Sequence, residues 1–376
     1  MPIVFYVSGH GFGHASRDVE VINALAARTG QPVVIRSAVD PRLLARTING
    51  PYTLLPGVCD TGIVQSSSVA HDDAATVDAA LAFYASFDER VEAEVARLAP
   101  VGPEVIVGDV PPLAFAVAAR LGRPSVALAN FTWDWIYEAH PGFLPRGAAV
   151  IDTIRGAYRQ ATRALELPFS GGFDVFPASR VTRVPLIARQ SKRSRAETRV
   201  HFGLPADRPA ALLSFGGYGM PNLDLARVDV ARDWTVVTTD RVSGVGAAAL
   251  GHVAVVTEDA FHGGAFRYED LVAAVDVVLT KPGFGIVAEC IAAGTPLVYT
   301  SRGTFREYDV LVREMPRYLR CAFISQPDLF AGRWRRAIDA AITQPPAPET
   351  IALDGAEVAA EAIEALLGNA PDKLEV

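Results

Sequence analysis

Cysteine is scarce: Cys59, Cys290 and Cys321 are the only three in 376 residues. They are too few for a disulfide framework and too far apart for a Cys-x-x-Cys metal site, which points to a reducing, cytoplasmic setting. Long apolar runs are missing as well. The opening stretch Pro2–Ser8 has no cationic run before it and is too short for a signal peptide or a membrane span, and the most apolar later region, Leu271–Ser301, is broken by Asp276, Lys281 and Glu289. Nor is positive charge in excess. Lysine and arginine total 35 against 42 acidic residues, and a formal charge of -7 gives no electrostatic basis for nucleic-acid binding. No Asp-x-Asp pair occurs anywhere, and there is no internal repeat or low-complexity tract.

What the chain does have is apolar side chains, which make up 50% of the residues against 20% charged. Such a chain buries enough surface to fold, and disorder is excluded. The mean hydropathy of +0.22 suits strands buried on both faces, the habit of parallel sheets in α/β proteins. At ~100 to 200 residues per domain the length implies two domains. Short β-branched runs recur, each followed by an Ala-rich segment of helical length. Pro2–Val7, Pro32–Ser37, Tyr52–Leu55, Glu104–Gly108 and Pro124–Ala129 form one series. Ala210–Phe215, Trp234–Thr239, Val253–Thr257, Val275–Thr280, Pro296–Thr300 and Ala322–Ser325 form a second. The pattern predicts two doubly wound parallel sheets in tandem. A hinge is expected between Phe169 and Arg199, where glycine, proline and a polar basic run replace the apolar strands. The expected division is a first domain over 1–184, a second over 185–352, and a C-terminal helix over 353–376 docking back on the first domain.

The first strand runs into Ser8-Gly9-His10-Gly11-Phe12-Gly13-His14, and the next residues have helical composition. Alternate glycines allow a tight turn at the carboxyl edge of the sheet, where open α/β folds bind ligands. As a dinucleotide fingerprint the run fails, because its third glycine comes one residue early and the second strand ends on Arg36 rather than an acid. His14 falls in the first turn of the helix, where the dipole keeps an imidazole neutral and able to accept a proton. A capping or packing role is its alternative. His10 reads as a loop residue, since glycines forbid a helix between it and His14 and no third metal ligand is evident. Asp109 emerges from the fourth strand on the same edge, either to orient His14 or to cap the helix beyond Pro111. Beyond the fifth strand, Asn130-Phe131-Thr132-Trp133-Asp134-Trp135 offers an aromatic platform for a ligand or a packing surface between domains.

The second half repeats the device with Gly216 and Gly217 after Phe215, and again with Thr280-Lys281-Pro282-Gly283-Phe284-Gly285. Free amides at the start of the helix after Gly283 would receive phosphates. Glu289, four residues past Gly285, is placed about one turn down the same face to accept two ribose hydroxyls. A third loop, Ser301 to Tyr308, supplies Glu307 as a reader of sugar hydroxyls, whereas Arg302 and Arg306 are either part of that site or surface charges. Lys192, Arg193 and Arg195 read as a solvated connector.

Together these residues resemble the GT-B glycosyltransferase superfamily. The motif Gly283…Glu289…Gly294-Thr295-Pro296 is similar to the donor site of the peptidoglycan N-acetylglucosaminyl transferases and other UDP-sugar enzymes. A closer resemblance, over nearly the whole chain, is to the glycosyltransferase-like N-terminal half of plant L-arabinokinases. It is carried by Tyr6 to Ala15, Asn130 to Tyr137, and Gly283 to Glu289. It does not extend to the kinase half, so arabinose phosphorylation is not implied. The resemblance implies two facing Rossmann-like domains with acceptor and base in the first and nucleotide-sugar in the second. It assigns His14 as base with Asp109 its partner, and Gly11, Phe12, Gly13, Trp133 and Asp134 to the acceptor side. It further places Gly216 and Gly217 near the diphosphate, Gly283 to Gly285 and Lys281 at the phosphates, Glu289 on ribose and Glu307 on the sugar. Many UDP-sugar enzymes carry an acid-Gln pair where this chain has Glu307-Tyr308. The expectation is an inverting transferase with a nucleotide-sugar as co-substrate, no separate cofactor, no metal, no nucleic-acid partner and no integral membrane association. The acceptor is left open. A sugar-nucleotide epimerase or phosphorylase on the same fold, and a non-catalytic nucleotide-sugar sensor, are the alternatives.

Overall fold

The computed structural model describes residues 1–10, 12–216, 220, 223–239, 250–261 and 264–368. Along the chain run β1 (Ile3–Tyr6), β2 (Val33–Ser37), β3 (Tyr52–Pro56), a small antiparallel hairpin of β4 (Gln65–Ser67) and β5 (Ala70–His71), then β6 (Val105–Gly108), β7 (Ser125–Phe131), β8 (Arg163–Gly171) and β9 (Val181–Arg183). The second half adds β10 (Ala210–Ser214), β11 (Thr235–Thr239), β12 (Val253–Val256), β13 (Val277–Thr280), β14 (Leu297–Tyr299) and β15 (Cys321–Phe323). Two parallel sheets result, ordered β3-β2-β1-β6-β7-β8-β9 and β12-β11-β10-β13-β14-β15. Strands β1, β6, β7 and β13 are buried at every residue, as parallel strands covered on both faces must be, and this is why they read as unbroken apolar runs.

Strand order reverses between β1 and β6 in the first sheet and between β10 and β13 in the second. At such a switch point the loops leaving neighbouring strands part to opposite faces and open a crevice. The register pairs Tyr6 with Gly108 and Ser214 with Thr280, so the loop of His14 lies beside Asp109 and that of Gly216 beside Lys281. Both crevices face the seam between the domains.

Two features depart from the sequence reading. The segment around Phe169, expected in the hinge, is the end of β8. That strand alternates buried and half-exposed residues and bends where Phe169 takes a positive φ of 61°, so it lacks the apolar-run signature. The hairpin of β4 and β5 carried no expectation at all. It reaches from the first domain to the second and buries Val69 among Ala211, Leu213 and Val298.

After β9 the chain crosses between domains and is met by the returning C-terminal segment. The Leu186 N–H donates to the Ala352 carbonyl at 3.0 Å, and the Gly355 N–H to the Leu186 carbonyl at 3.3 Å. The helix Gly355–Glu364 then packs on the first helix, Phe12–Thr29, where Arg28 bonds Glu364 (2.9 Å) and Glu361 (3.2 Å).

Candidate active site

His14 lies in the first turn of the helix Phe12–Thr29, a helix with no acidic residue in that turn. Asp109 follows β6 directly, fixed by its backbone N–H on the Tyr6 carbonyl (3.0 Å). It caps no helix: the next helix begins at Leu113 with Pro112 as cap and no side-chain cap bond. Instead its Oδ2 stands 2.6 Å from His14 Nδ1. A neutral imidazole in this contact carries its proton on Nδ1 and donates it to Asp109, leaving the Nε2 lone pair available. The ring stands edge-on to Phe131, 5.7 Å between centroids. Burial, followed by the neighbouring Arg17 guanidinium, holds the His14 pKa down to about 4, so the ring is neutral at physiological pH.

One turn along, Arg17 bonds the other Asp109 oxygen, Oδ1, and donates to Asn130 Oδ1 at 2.8 Å. Asn130, at the end of β7, uses its Nδ2 to donate to Glu307 Oε1 at 2.9 Å. Glu307 belongs to the helix Arg306–Glu314 of the second domain, and its Oε2 accepts from Arg302 at 3.1 Å. A continuous polar chain therefore runs from His14 through Asp109, Arg17 and Asn130 to Glu307 across the seam. Arg302 is half-buried within it and lies over the Phe305 ring at 4.1 Å, whereas Arg306 bridges the domains by donating to the Trp135 carbonyl at 3.0 Å.

The helix Phe284–Ala293 starts after Gly283 without a side-chain cap, so its first amides are left for another acceptor. Its N-terminus abuts that of the first helix: the Gly285 and Gly13 backbones are in contact, and the Phe284 ring lies 5.2 Å from the Arg17 guanidinium. Lys281 donates to Gln65 Oε1 of the hairpin at 3.0 Å, and burial, then Arg302, brings its pKa down to about 7. Gly216, in the loop that leaves β10, takes the left-handed conformation (φ 73°). Gly11 and Gly217 lie outside the described residues, as does the side chain of Phe12.

Glu289 is buried and already engaged. Arg189 donates from Nε to its Oε1 at 2.7 Å and also bonds it from Nη2, while Arg189 Nη1 stands 3.4 Å from Glu269. Burial pushes the Glu289 carboxyl up against the pull of Arg189; at Arg189 the two carboxylates outweigh burial and keep the guanidinium charged. A narrow crevice beside this pair is lined by Ser16, Arg17, Arg189, Phe284, Gly285 and Glu289. A cavity of about 630 Å³ opens on the hairpin side, between Val69 to His71 and the second-domain residues Ser301, Thr304 and Gln326.

Trp133 and Asp134 are turned into the first domain. Trp133 stacks on Tyr137 at 5.5 Å and donates from Nε1 to Asp60 at 2.8 Å; Asp134 is buried and paired with Arg155 at 2.9 Å. His10 lies in the loop before the first helix, as expected, where its Nε2 meets the Asp60 carbonyl at 3.2 Å and Asp60 raises its pKa against burial. Arg17, Arg189 and Asp60 escaped the sequence reading. Arg17 had a usable signal, its spacing of three from His14 on one helix face. Arg189 was hidden in a basic run, and Asp60 stands in no motif.

Among the described residues no group of three or more His, Cys, Asp and Glu side chains is placed to hold a metal ion, and no helix is long and apolar enough to cross a membrane.

This arrangement of two facing sheets, with a histidine loop opposite a glycine-initiated helix, defines a GT-B fold. The chain is 30% identical to an L-arabinokinase of Arabidopsis thaliana over 98% of its own length, and spans 35% of that protein. It is 27% identical to the UDP-N-acetylglucosamine--N-acetylmuramyl-(pentapeptide) pyrophosphoryl-undecaprenol N-acetylglucosamine transferase of Clavibacter michiganensis subsp. michiganensis, over 80% of this chain and 76% of that protein. Among solved structures, the glycotransferase of kitacinnamycin superposes with a TM-score of 0.64 at 20% identity, covering 97% of this chain and 99% of that one. No family model matches the chain. The chain thus shares the GT-B fold of these solved glycosyltransferase structures and is similar in sequence to the arabinokinase and to the N-acetylglucosaminyl transferase.

Proposed function

We propose that this protein is a metal-independent, inverting glycosyltransferase that uses a nucleotide-sugar, with a UDP-sugar the favoured donor. The observation that carries the reading is the 2.6 Å contact of His14 Nδ1 with Asp109, made beside the start of the Phe284–Ala293 helix. A neutral imidazole whose Nδ1 proton is held by a carboxylate accepts a proton at Nε2. An acceptor hydroxyl gives that proton to Nε2 while its oxygen forms a bond to the anomeric carbon. On the opposite face the bond from that carbon to the diphosphate oxygen breaks, and the electron pair leaves with the nucleoside diphosphate. The charge developing there is met by the first amides of the Phe284–Ala293 helix and by Lys281. Glu289 takes the ribose hydroxyls once Arg189 leans on Glu269 alone, and Glu307 faces the sugar. The acceptor carries a free hydroxyl; the donor sugar is set by the loop around Glu307. The likeness to the N-acetylglucosaminyl transferase supports a UDP-sugar donor, and that protein is named for such a substrate.

The test is a matrix of UDP- and TDP-sugars against hydroxylated acceptors, read as nucleoside diphosphate release, with NMR of the anomeric product. Acceptor-dependent release with inverted configuration supports the proposal. Nucleotide binding without release against any acceptor would favour a sensor, and retained configuration would exclude the single displacement at His14.

A further inference from the structure

Arg17 is 2% exposed at its side chain; its guanidinium stands 3.7 Å from Asp18 Oδ1 and makes four further contacts. It bonds Asp109 Oδ1, donates to Asn130 Oδ1 (2.8 Å), approaches His14 Nδ1 (3.5 Å) and lies over the Phe284 ring (5.2 Å to the centroid). The first contact decides the geometry of the base. Arg17 on Oδ1 holds the carboxylate so that Oδ2 faces His14 Nδ1, and that contact fixes the imidazole tautomer. The second decides the orientation of an amide. Because Arg17 has donors only, the Asn130 carbonyl oxygen must face it, and Nδ2 must therefore face Glu307. The fourth brings in the second domain, since Phe284 opens the helix whose amides are free.

We propose that Arg17 is a positioning residue that couples the His14–Asp109 pair of the first domain to the Glu307 carboxylate of the second, so that base and sugar loop are aligned only when the domains are closed. The proposal rests on the glycosyltransferase reading for its consequence in turnover, but its geometric content stands apart from that reading. Around His14 the charged groups are Arg17 and Asp18 on its own helix, Asp109 after β6, Asp60 after β3, and Glu307 from the second domain. Arg17 is the one cation among them. Its removal leaves carboxylates on every side, and each favours the imidazolium.

The experiment is an NMR titration of His14 in the wild type, Arg17→Gln and Arg17→Lys, with the chemical shifts assigned by His14→Gln, alongside diphosphate release at each pH. In Arg17→Gln the His14 midpoint should move up by at least one pH unit, and the acid limb of turnover should move with it. Arg17→Lys keeps the charge but lacks the fork that reaches Asp109 and Asn130 together. There the midpoint should stay within half a unit of wild type while turnover falls about tenfold or more. An unmoved midpoint in folded Arg17→Gln overturns the proposal, as does wild-type turnover in Arg17→Lys, which also serves if the glutamine variant fails to fold. Absence of turnover in the wild type would instead strike the glycosyltransferase reading, and the titration would still decide the role of Arg17.

Discussion

Gly13 and Gly285 meet backbone to backbone across the domain seam, so closely that a methyl group built on Gly285 would lie 3.2 Å from Gly13 Cα. The reverse substitution is easier, since a methyl on Gly13 would find the Gly285 nitrogen at 3.7 Å, an ordinary contact. Two helix N-termini are thereby brought together at one spot, and the uncapped amides beside this contact are the ones proposed to meet the diphosphate. Gly285→Ala should leave the fold intact, because alanine favours a helix by about 1 kcal/mol over glycine. It should nonetheless push the seam apart and weaken nucleoside diphosphate binding several-fold, with Gly13→Ala milder. Calorimetric titration of the two variants checks this, and equal affinities would show that the seam yields at no cost.

Domain closure follows a related logic. The seam is already joined by the Asn130–Glu307 bond, by Lys281 on Gln65 and by Val69 seated in the second domain's apolar cluster. Val69→Ala removes two methyl groups from that seat, a loss of about 1 to 3 kcal/mol of burial and packing. The radius of gyration without nucleotide should rise in this variant and fall back when nucleoside diphosphate is added. Small-angle scattering profiles identical to wild type in both states would locate the closure energy elsewhere.

The parts legible in the sequence were those with a repeating or directional signature. Buried parallel strands announce themselves as apolar runs, and Gly-rich turns mark their carboxyl ends, so both sheets and the loops of His14, Gly216 and Gly283 could be placed from residue order. What stayed hidden depends on tertiary pairing. Glu289 reads as free for a ribose, and only the fold brings Arg189 from the connector onto it. Trp133 and Asp134 look like platform residues after a strand, but Asp60 and Arg155, remote in sequence, hold them inside the first domain. Strand β8 and the hairpin lacked a signature because the one is bent and half-exposed and the other is very short.

The pH dependence of stability should carry the mark of His14. Its pKa in the folded protein, about 4, lies below the ordinary 6.5, so between these values the folded state binds fewer protons than the unfolded one. Stability therefore falls as pH drops through that window and is unaffected by this group above it. The difference corresponds to roughly 3 kcal/mol as a limit, since one pKa unit is about 1.4 kcal/mol. His71, also held down to about 4 by burial and Arg302, acts in the same direction. Urea midpoints for His14→Gln should drop less between pH 7 and pH 4.5 than those of the wild type. A parallel drop would mean that His14 titrates normally.

Asp18 works in the opposite sense. It is buried beside Arg17, with neither carboxylate oxygen hydrogen-bonded, and burial raises its pKa to about 6 despite the guanidinium. Between 3.8 and 6 the folded state holds the extra proton, so this group costs stability as pH rises through that window. Asp18→Asn removes the titration and should stabilise the protein at pH 7 by on the order of 1 to 3 kcal/mol. Thermal unfolding at pH 7 and pH 5 checks the sign: the gain should shrink at the lower pH, and a loss at pH 7 would show that the Asp18 charge is needed to hold Arg17.

The two halves of the proposed site should fail differently. His14→Ala removes the proton acceptor but none of the groups proposed to hold the nucleotide, so transfer should fall about a hundred-fold or more while nucleotide affinity stays. Glu289→Gln keeps a side chain for Arg189 to bond and leaves Glu269 to balance the guanidinium, so the fold should survive. It removes the charged acceptor for the ribose hydroxyls, a loss of roughly 1.5 to 3 kcal/mol, and the affinity for nucleoside diphosphate should weaken about tenfold or more. Chelator should leave transfer by the wild type unchanged if the helix amides and Lys281 meet the diphosphate charge, whereas restoration by magnesium or manganese would contradict that. Titration calorimetry and diphosphate release on the same preparations separate these outcomes. Should His14→Ala retain acceptor-dependent release, the base is another group; should Glu289→Gln bind nucleotide as wild type does, Arg189 keeps Glu289 permanently and the ribose is held elsewhere.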